Sequence, residues 1–164
     1  MKIDIFKKLR KIKNQRLKLK LIDNIMSMAI PFNRGLGFKI TTLTAKKVVV
    51  NSPSKKARQN HIKGAHACAL ALLGEYPAGL LLAQNYSPEN YRFILGELKM
   101  EYKKQGRGLL TSISKISKKP VKNIKGEAWI DMSSEITNSK GDLVALCHTK
   151  WQLKSWDLVE KQKN

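Results

Sequence analysis

Asn60-His61-Ile62-Lys63-Gly64-Ala65-His66-Ala67 is the segment in which polar side chains meet the start of the most apolar stretch of the chain. A helix that begins here carries unpaired amides at its N-terminus. Their partial positive charge stabilises an anion, including the oxyanion that develops when a thioester or ester carbonyl is attacked. Glu75 follows on the same helix, a carboxylate in an otherwise apolar face. Desolvation there raises the pKa of a carboxyl group and suits it to work as a base or nucleophile. An equally weighted reading is a Glu held by a Lys or a backbone amide.

Other constellations fail on spacing. His66 and Cys68 are i and i+2 on a helix and point apart, and Cys147 and His148 are neighbours on a strand that face opposite sides, so no local Cys-His dyad forms. His61, His66 and His148 lack ligand-type spacing, and no metal site is expected. Gly106-Arg107-Gly108 reads as a turn and not as a phosphate loop.

The elements that must position these residues belong to one basic domain. The chain has 164 residues, a net charge of +20 and 42% hydrophobic residues, which excludes collagen, a disulfide scaffold and global disorder. Two cysteines suggest a reducing compartment and two buried or half-buried thiols. Met1 to Lys20 alternates basic and single apolar residues, so no secretory signal is expected. Residues 2–28 contain no Gly or Pro, and apolar positions three or four apart predict a basic amphipathic helix over residues 1–30. Such a helix either rests on an anionic surface, phospholipid or nucleic acid, or packs on the domain with a solvated lysine face, the simpler reading. Pro31 ends it. The main domain is expected over 31–157, with a tail at 158–164 that frays from Glu160 on.

Within that domain, Phe38 to Leu43 and Lys47 to Asn51 predict a hairpin turning at Thr44 and Ala45. Ala65 to about Gln84 is apolar on all sides and predicts a buried central helix. His66, Glu75 and Pro77 within it argue against a membrane span. Pro77 is expected to kink the helix or start a second segment. Arg92 to Tyr102 predicts a half-buried strand with Ile94, Leu98, Met100 and Tyr102 on one face. Leu109 to Ser117, a strand around Ala128 to Ile136, and Leu143 to Leu153 complete an antiparallel set. In the last strand Leu143, Ala145, Cys147, Thr149 and Trp151 share one face, and Val144, Leu146, His148, Lys150 and Gln152 the other. The class is α+β, a sheet that wraps one long helix.

The segment around His66 resembles the hotdog-fold acyl-CoA thioesterases of the phenylacetate-degradation type. Their motif has an Asn, a Gly-containing turn, a His-Gly-Gly at the start of the central helix, and an acid eight residues beyond the first Gly of that pair. Asn60 and His66 match, Ala67 and Cys68 stand in place of the two glycines, and Glu75 falls eight residues after Ala67. The likeness covers roughly residues 31 to 155 and is nearest to a thioesterase-like branch of unknown function. It implies an antiparallel sheet of five to six strands around the central helix. A side chain at Ala67 crowds the carbonyl that the amide there should hold, which bears on rate and substrate size more than on fold.

Glu75 lies 11 residues past Gly64, about 16 Å along a helix, and cannot meet the N-terminus of its own helix. The resemblance supplies the partner: a homodimer, or a dimer of dimers, in which Glu75 of one protomer approaches Asn60 and Ala67 of the other. In the roles it implies, the Ala67 amide polarises the thioester carbonyl, Asn60 orients the water or the carbonyl, and Glu75 is general base or nucleophile. His66 either hydrogen-bonds near the thioester sulfur or is simply a satisfied histidine at the helix start. Lys55, Lys56, Arg58 and Arg107, with Gly64, are candidates for binding coenzyme A as part of the substrate, with no separate cofactor, although a chance patch is the simpler account in so basic a chain. The alternative is an acyl-CoA-binding or membrane-surface module without catalysis. Nucleic acid is not an expected partner, since it rests on charge alone. The expected location is cytoplasmic, at most membrane-peripheral.

Overall fold

The computed structural model describes residues 9, 11–116, 124 and 126–159. Helix α1 spans Gln15–Ala29. Its start corrects the expectation of one helix over 2–28: Lys11 lies in a turn, residues 12–14 are non-helical, and residues 1–8 and 10 lie outside the described residues. The cause is Asn14, whose Oδ1 accepts a hydrogen bond from the Leu17 amide at 3.1 Å and caps the helix. The helix stops before Pro31, which opens a single 3₁₀ turn, Pro31–Asn33. Ile22 of α1 is fully buried in the common core.

Strands β1 (Lys39–Leu43) and β2 (Lys47–Ser52) form the expected hairpin. A polar loop leads to α2, Ala67–Asn85. Then follow β3 (Tyr91–Tyr102), β4 (Leu110–Lys115), β5 (Glu127–Asn138) and β6 (Leu143–Ser155). The tail expected at 158–164 lies outside the described residues from 160 onward. All neighbours in the six-stranded sheet are antiparallel, in the order β1-β2-β4-β5-β6-β3. The sheet wraps α2, which packs against β2, β4, β5 and β6. Although α2 is long and apolar enough to cross a membrane, Leu70, Leu73, Leu80, Leu81 and Leu82 are buried in the core it makes with the sheet.

Two expectations need correction. Pro77 neither breaks α2 nor starts a second segment, and the helix is continuous through it. Pro77 is fully buried, and the packing around it outweighs the lost amide donor. In β3, Ile94 does not share a face with Leu98, Met100 and Tyr102. Pairing with β6 slips between Leu95 and Glu97, so Phe93 and Leu95 oppose Leu153 and Trp151, while Leu98 and Met100 oppose Thr149 and Cys147. The extra residue at Gly96 inverts the alternation, as a bulge must. On β6 the expected alternation holds from Ala145 to Trp151, with Ala145, Cys147, Thr149 and Trp151 buried, but not at its start: Leu143 is exposed and Val144 fully buried, where pairing with β5 slips between Ile136 and Thr137.

Candidate active site

The loop before α2 is built by the residues singled out in the sequence. Asn60 Oδ1 accepts from the amides of Ile62 at 3.2 Å and Gly64 at 3.0 Å, and the Asn60 amide donates to the Gly64 carbonyl at 2.8 Å. This ring of bonds holds Lys63 at φ 60°. Gly64 itself is buried, and a Cβ there would lie 2.6 Å from Gln105 Nε2. The His66 amide donates to the Arg58 carbonyl at 2.7 Å and the Ala65 amide to the Gly106 carbonyl at 2.8 Å, which fixes where the helix begins. His66, extended at φ −64° and ψ 143°, is the N-cap, and its Nδ1 accepts from the Cys68 amide at 3.1 Å.

Of the first amides of α2, that of Cys68 is therefore taken, while that of Ala67 makes no hydrogen bond among the described residues. His66, Ala67 and Cys68 are exposed. Exposure of Cys68 corrects the expectation of a buried or half-buried thiol; Cys147 is buried, and both are free. Tyr102, at the end of β3, donates its phenol hydrogen to the Ala67 carbonyl at 3.1 Å. No sequence signal pointed to that contact.

Glu75 is half-buried in the middle of α2, and its carboxylate makes no hydrogen bond or ion pair among the described residues. No Lys or backbone amide among the described residues supplies the partner that the second reading of this Glu needs. Burial pushes its pKa up to about 7. Its apolar setting comes from β6 and from two glycines of its own helix. A Cβ on Gly79 would lie 3.3 Å from Glu75 Oε1 and 3.2 Å from the tip of the Trp151 indole, so both side chains press on the bare Cα. At Gly74 the approach is closer still, with a Cβ only 2.4 Å from Cys147 Cβ. Burial and the facing Glu75 charge raise the Cys147 thiol to about 12, so it is a neutral wall. Gly79 and Trp151 were missed by sequence reasoning, although the alternation of β6 had already put Trp151 on the helix-facing side.

Lys55, Lys63 and Arg107 surround a shallow depression beside this loop. Arg58 lines it too but is 4% exposed. Its Nη2 faces the carbonyls of Ser52, Pro53 and Gly108 and so ties the loop to the turn before β4, and its burial leaves little of it open to a ligand. Lys56 is exposed in the 3₁₀ turn Lys56–Arg58 and outside the lining. Glu75 stays apart from the helix N-terminus: eight residues of continuous helix separate it from Ala67, about 12 Å.

A family model described as a domain of unknown function, DUF4442, matches residues 19–153. The chain belongs to the DUF4442 family. No curated protein matches it by sequence. Among solved structures, this DUF4442 protein is similar to the Pseudomonas aeruginosa protein PA5026, described as of unknown function and a probable thioesterase. Identity is 21%, with 83% of this chain and 95% of that one covered and a TM-score of 0.75. The Staphylococcus aureus thioesterase SAV0944, in a mutant form, is 17% identical over 76% of this chain and 98% of its own, with a TM-score of 0.66. A hypothetical thioesterase from Streptococcus pneumoniae, solved with coenzyme A, is 19% identical over 73% and 87%, with a TM-score of 0.60. The DUF4442 chain thus has the fold of these structures, the hotdog fold, and the expected α+β class and the expected branch of unknown function both hold.

Proposed function

We propose that this protein hydrolyses an acyl-CoA or related acyl thioester at a site shared between two protomers. The observation that carries the reading is Glu75, an unpartnered carboxylate whose pKa burial raises to about 7 in the middle of the wrapped helix. A base poised near neutral pH transfers a proton with good driving force in either direction. The exposed helix start, with the Ala67 amide unengaged, suits the oxyanion. The separation of about 12 Å within one chain favours a second copy. β3 favours it as well: it is an edge strand, and Leu98 and Tyr102 on its helix-facing side are 40% and 49% exposed.

In this mechanism Glu75 of one protomer takes a proton from water as the water oxygen attacks the thioester carbonyl. The oxyanion forms against the Ala67 amide of the partner helix. Collapse breaks the carbon–sulfur bond, and the protonated Glu75 returns its proton to the leaving thiolate, giving a carboxylic acid and coenzyme A. Attack by Glu75 itself, through an anhydride, uses the same residues. Asn60 acts through the loop it ties, and Lys55, Lys63 and Arg107 attract the phosphates of coenzyme A. The neighbour solved with coenzyme A favours this substrate class. Ala67 and Cys68 in place of two glycines favour a second reading, a module that binds acyl-CoA without cleaving it. Thiol release from short, long and aromatic acyl-CoA, with Glu75→Ala as control, separates the two. Hydrolysis lost in the variant supports the enzyme, whereas intact substrates in both, with retained binding, support the module.

A further inference from the structure

We propose that the outward side of α1 and the turn after it dock this protein on an anionic phospholipid surface. Leu17 and Met28 lie 11 residues apart in α1, three turns, and so share one side of the helix. Buried Ile22 marks the opposite side. Leu17 is 49% exposed, Met28 63% and, just beyond the helix, Phe32 80%. Isolated exposed apolar side chains are ordinary, but Leu17 and Met28 lie on one strip about 16 Å long, and the more exposed Phe32 follows four residues past its end in the turn that closes the helix. Arg34 secures the far end, donating from Nε to the Ser27 carbonyl at 2.8 Å.

The charge around this strip has one sign. Arg16, Lys20 and Arg34 are exposed beside it. The one acid of α1, Asp23, is turned inward, where it accepts from the Ile40 amide at 3.0 Å. The first 34 residues hold ten Lys and Arg against two acids, Asp4 and Asp23. Near an anionic bilayer each such cation strengthens attachment roughly fivefold, and the interface also takes up apolar side chains between headgroups. A nucleic-acid backbone matches the charge but leaves Met28 and Phe32 in water, so lipid fits both features. α1 packs on β1, at the sheet edge opposite β3. A dimer made through β3 therefore carries two such surfaces.

The test is co-sedimentation of the full chain with vesicles of phosphatidylcholine alone and of phosphatidylcholine mixed with phosphatidylglycerol. Binding is expected to the mixed vesicles only. Phe32→Ala is expected to weaken it about tenfold, and Arg16→Glu with Lys20→Glu by more than that. These side chains are exposed, so thermal unfolding should match the parent; Phe32→Trp is a second probe, whose added emission should shift to the blue on the mixed vesicles. Failure to bind either vesicle overturns the proposal, as does binding that Phe32→Ala leaves unchanged. Two other outcomes overturn it too: a changed oligomeric state in Phe32→Ala, which would put a second copy on the strip, and Phe32-dependent binding to duplex DNA or RNA in place of vesicles.

Discussion

Glu75 and its two glycine neighbours concentrate the chemistry of this chain in a few ångströms. Glu75→Gln keeps size and removes the ionisable group, so thiol release should fall at least about a hundredfold, the usual worth of a positioned base. With its pKa near 7, the parent should gain kcat/KM as pH rises through 7 and level off above it, because the ionised form is the base. The same shift has a stability sign. The folded chain binds a proton between pH 4.5, the ordinary value, and about 7 that the unfolded chain has released. Stability is therefore full below pH 4.5 and is lost as pH climbs through 7. Urea denaturation at pH 8 should find Glu75→Gln more stable than the parent by up to about 3 kcal/mol, a gap that closes near pH 4. Gly74→Ala should act on packing alone: its Cβ would meet Cys147 Cβ at 2.4 Å, and overpacking of this kind costs about 1–3 kcal/mol, read as a lowered Tm. Glu75 was legible in the sequence as a lone acid in an apolar face. Its lack of a partner was not, because that depends on which side chains β6 and the glycines bring near.

At the scale of elements, the parts that declare themselves locally are the ones the sequence reveals. β6 alternates over its buried positions from Ala145 to Trp151 without interruption, and the hairpin of β1 and β2 turns where its polar residues fall. β3 misleads, because a bulge at Gly96 is invisible until the partner strand fixes the register. α1 misleads differently: apolar spacing runs on through residues 2–28, while one side-chain bond from Asn14 sets the boundary. The loop before α2 depends on contacts distant in sequence. Arg58 spans from Ser52 and Pro53 to the Gly108 carbonyl, so Arg58→Met should remove the Nη2 hydrogens shared among these carbonyls. The expected loss is about 2–3 kcal/mol, with earlier thermal unfolding, and coenzyme A affinity should suffer only through the loosened loop.

For the whole molecule the question is whether one chain holds a site. Ala67 offers a clean way to ask. It is the first residue of α2, where Pro is well accepted and removes only the amide hydrogen. His66 before it is already extended at φ −64° and ψ 143°, the conformation a following Pro requires. Ala67→Pro should therefore fold like the parent, judged by its Tm, yet lose thiol release with the oxyanion donor. Co-expressed Ala67→Pro and Glu75→Gln chains then discriminate the architectures. If Glu75 of one protomer works with Ala67 of the other, each mixed dimer carries one site with both groups intact and one with neither. Random pairing makes half the dimers mixed, so activity should return to about a quarter of the parent. If each site lies within a single chain, every site in every dimer lacks one group and activity stays at the level of the separate variants. Leu98→Lys, placed on exposed β3, gives the complement: a charge along the proposed seam should yield monomers in sedimentation and abolish hydrolysis together. Activity surviving in a monomer would overturn the shared site, because the continuous run from Ala67 to Asn85 holds Glu75 about 12 Å from the Ala67 amide of its own chain and a different oxyanion donor would be required.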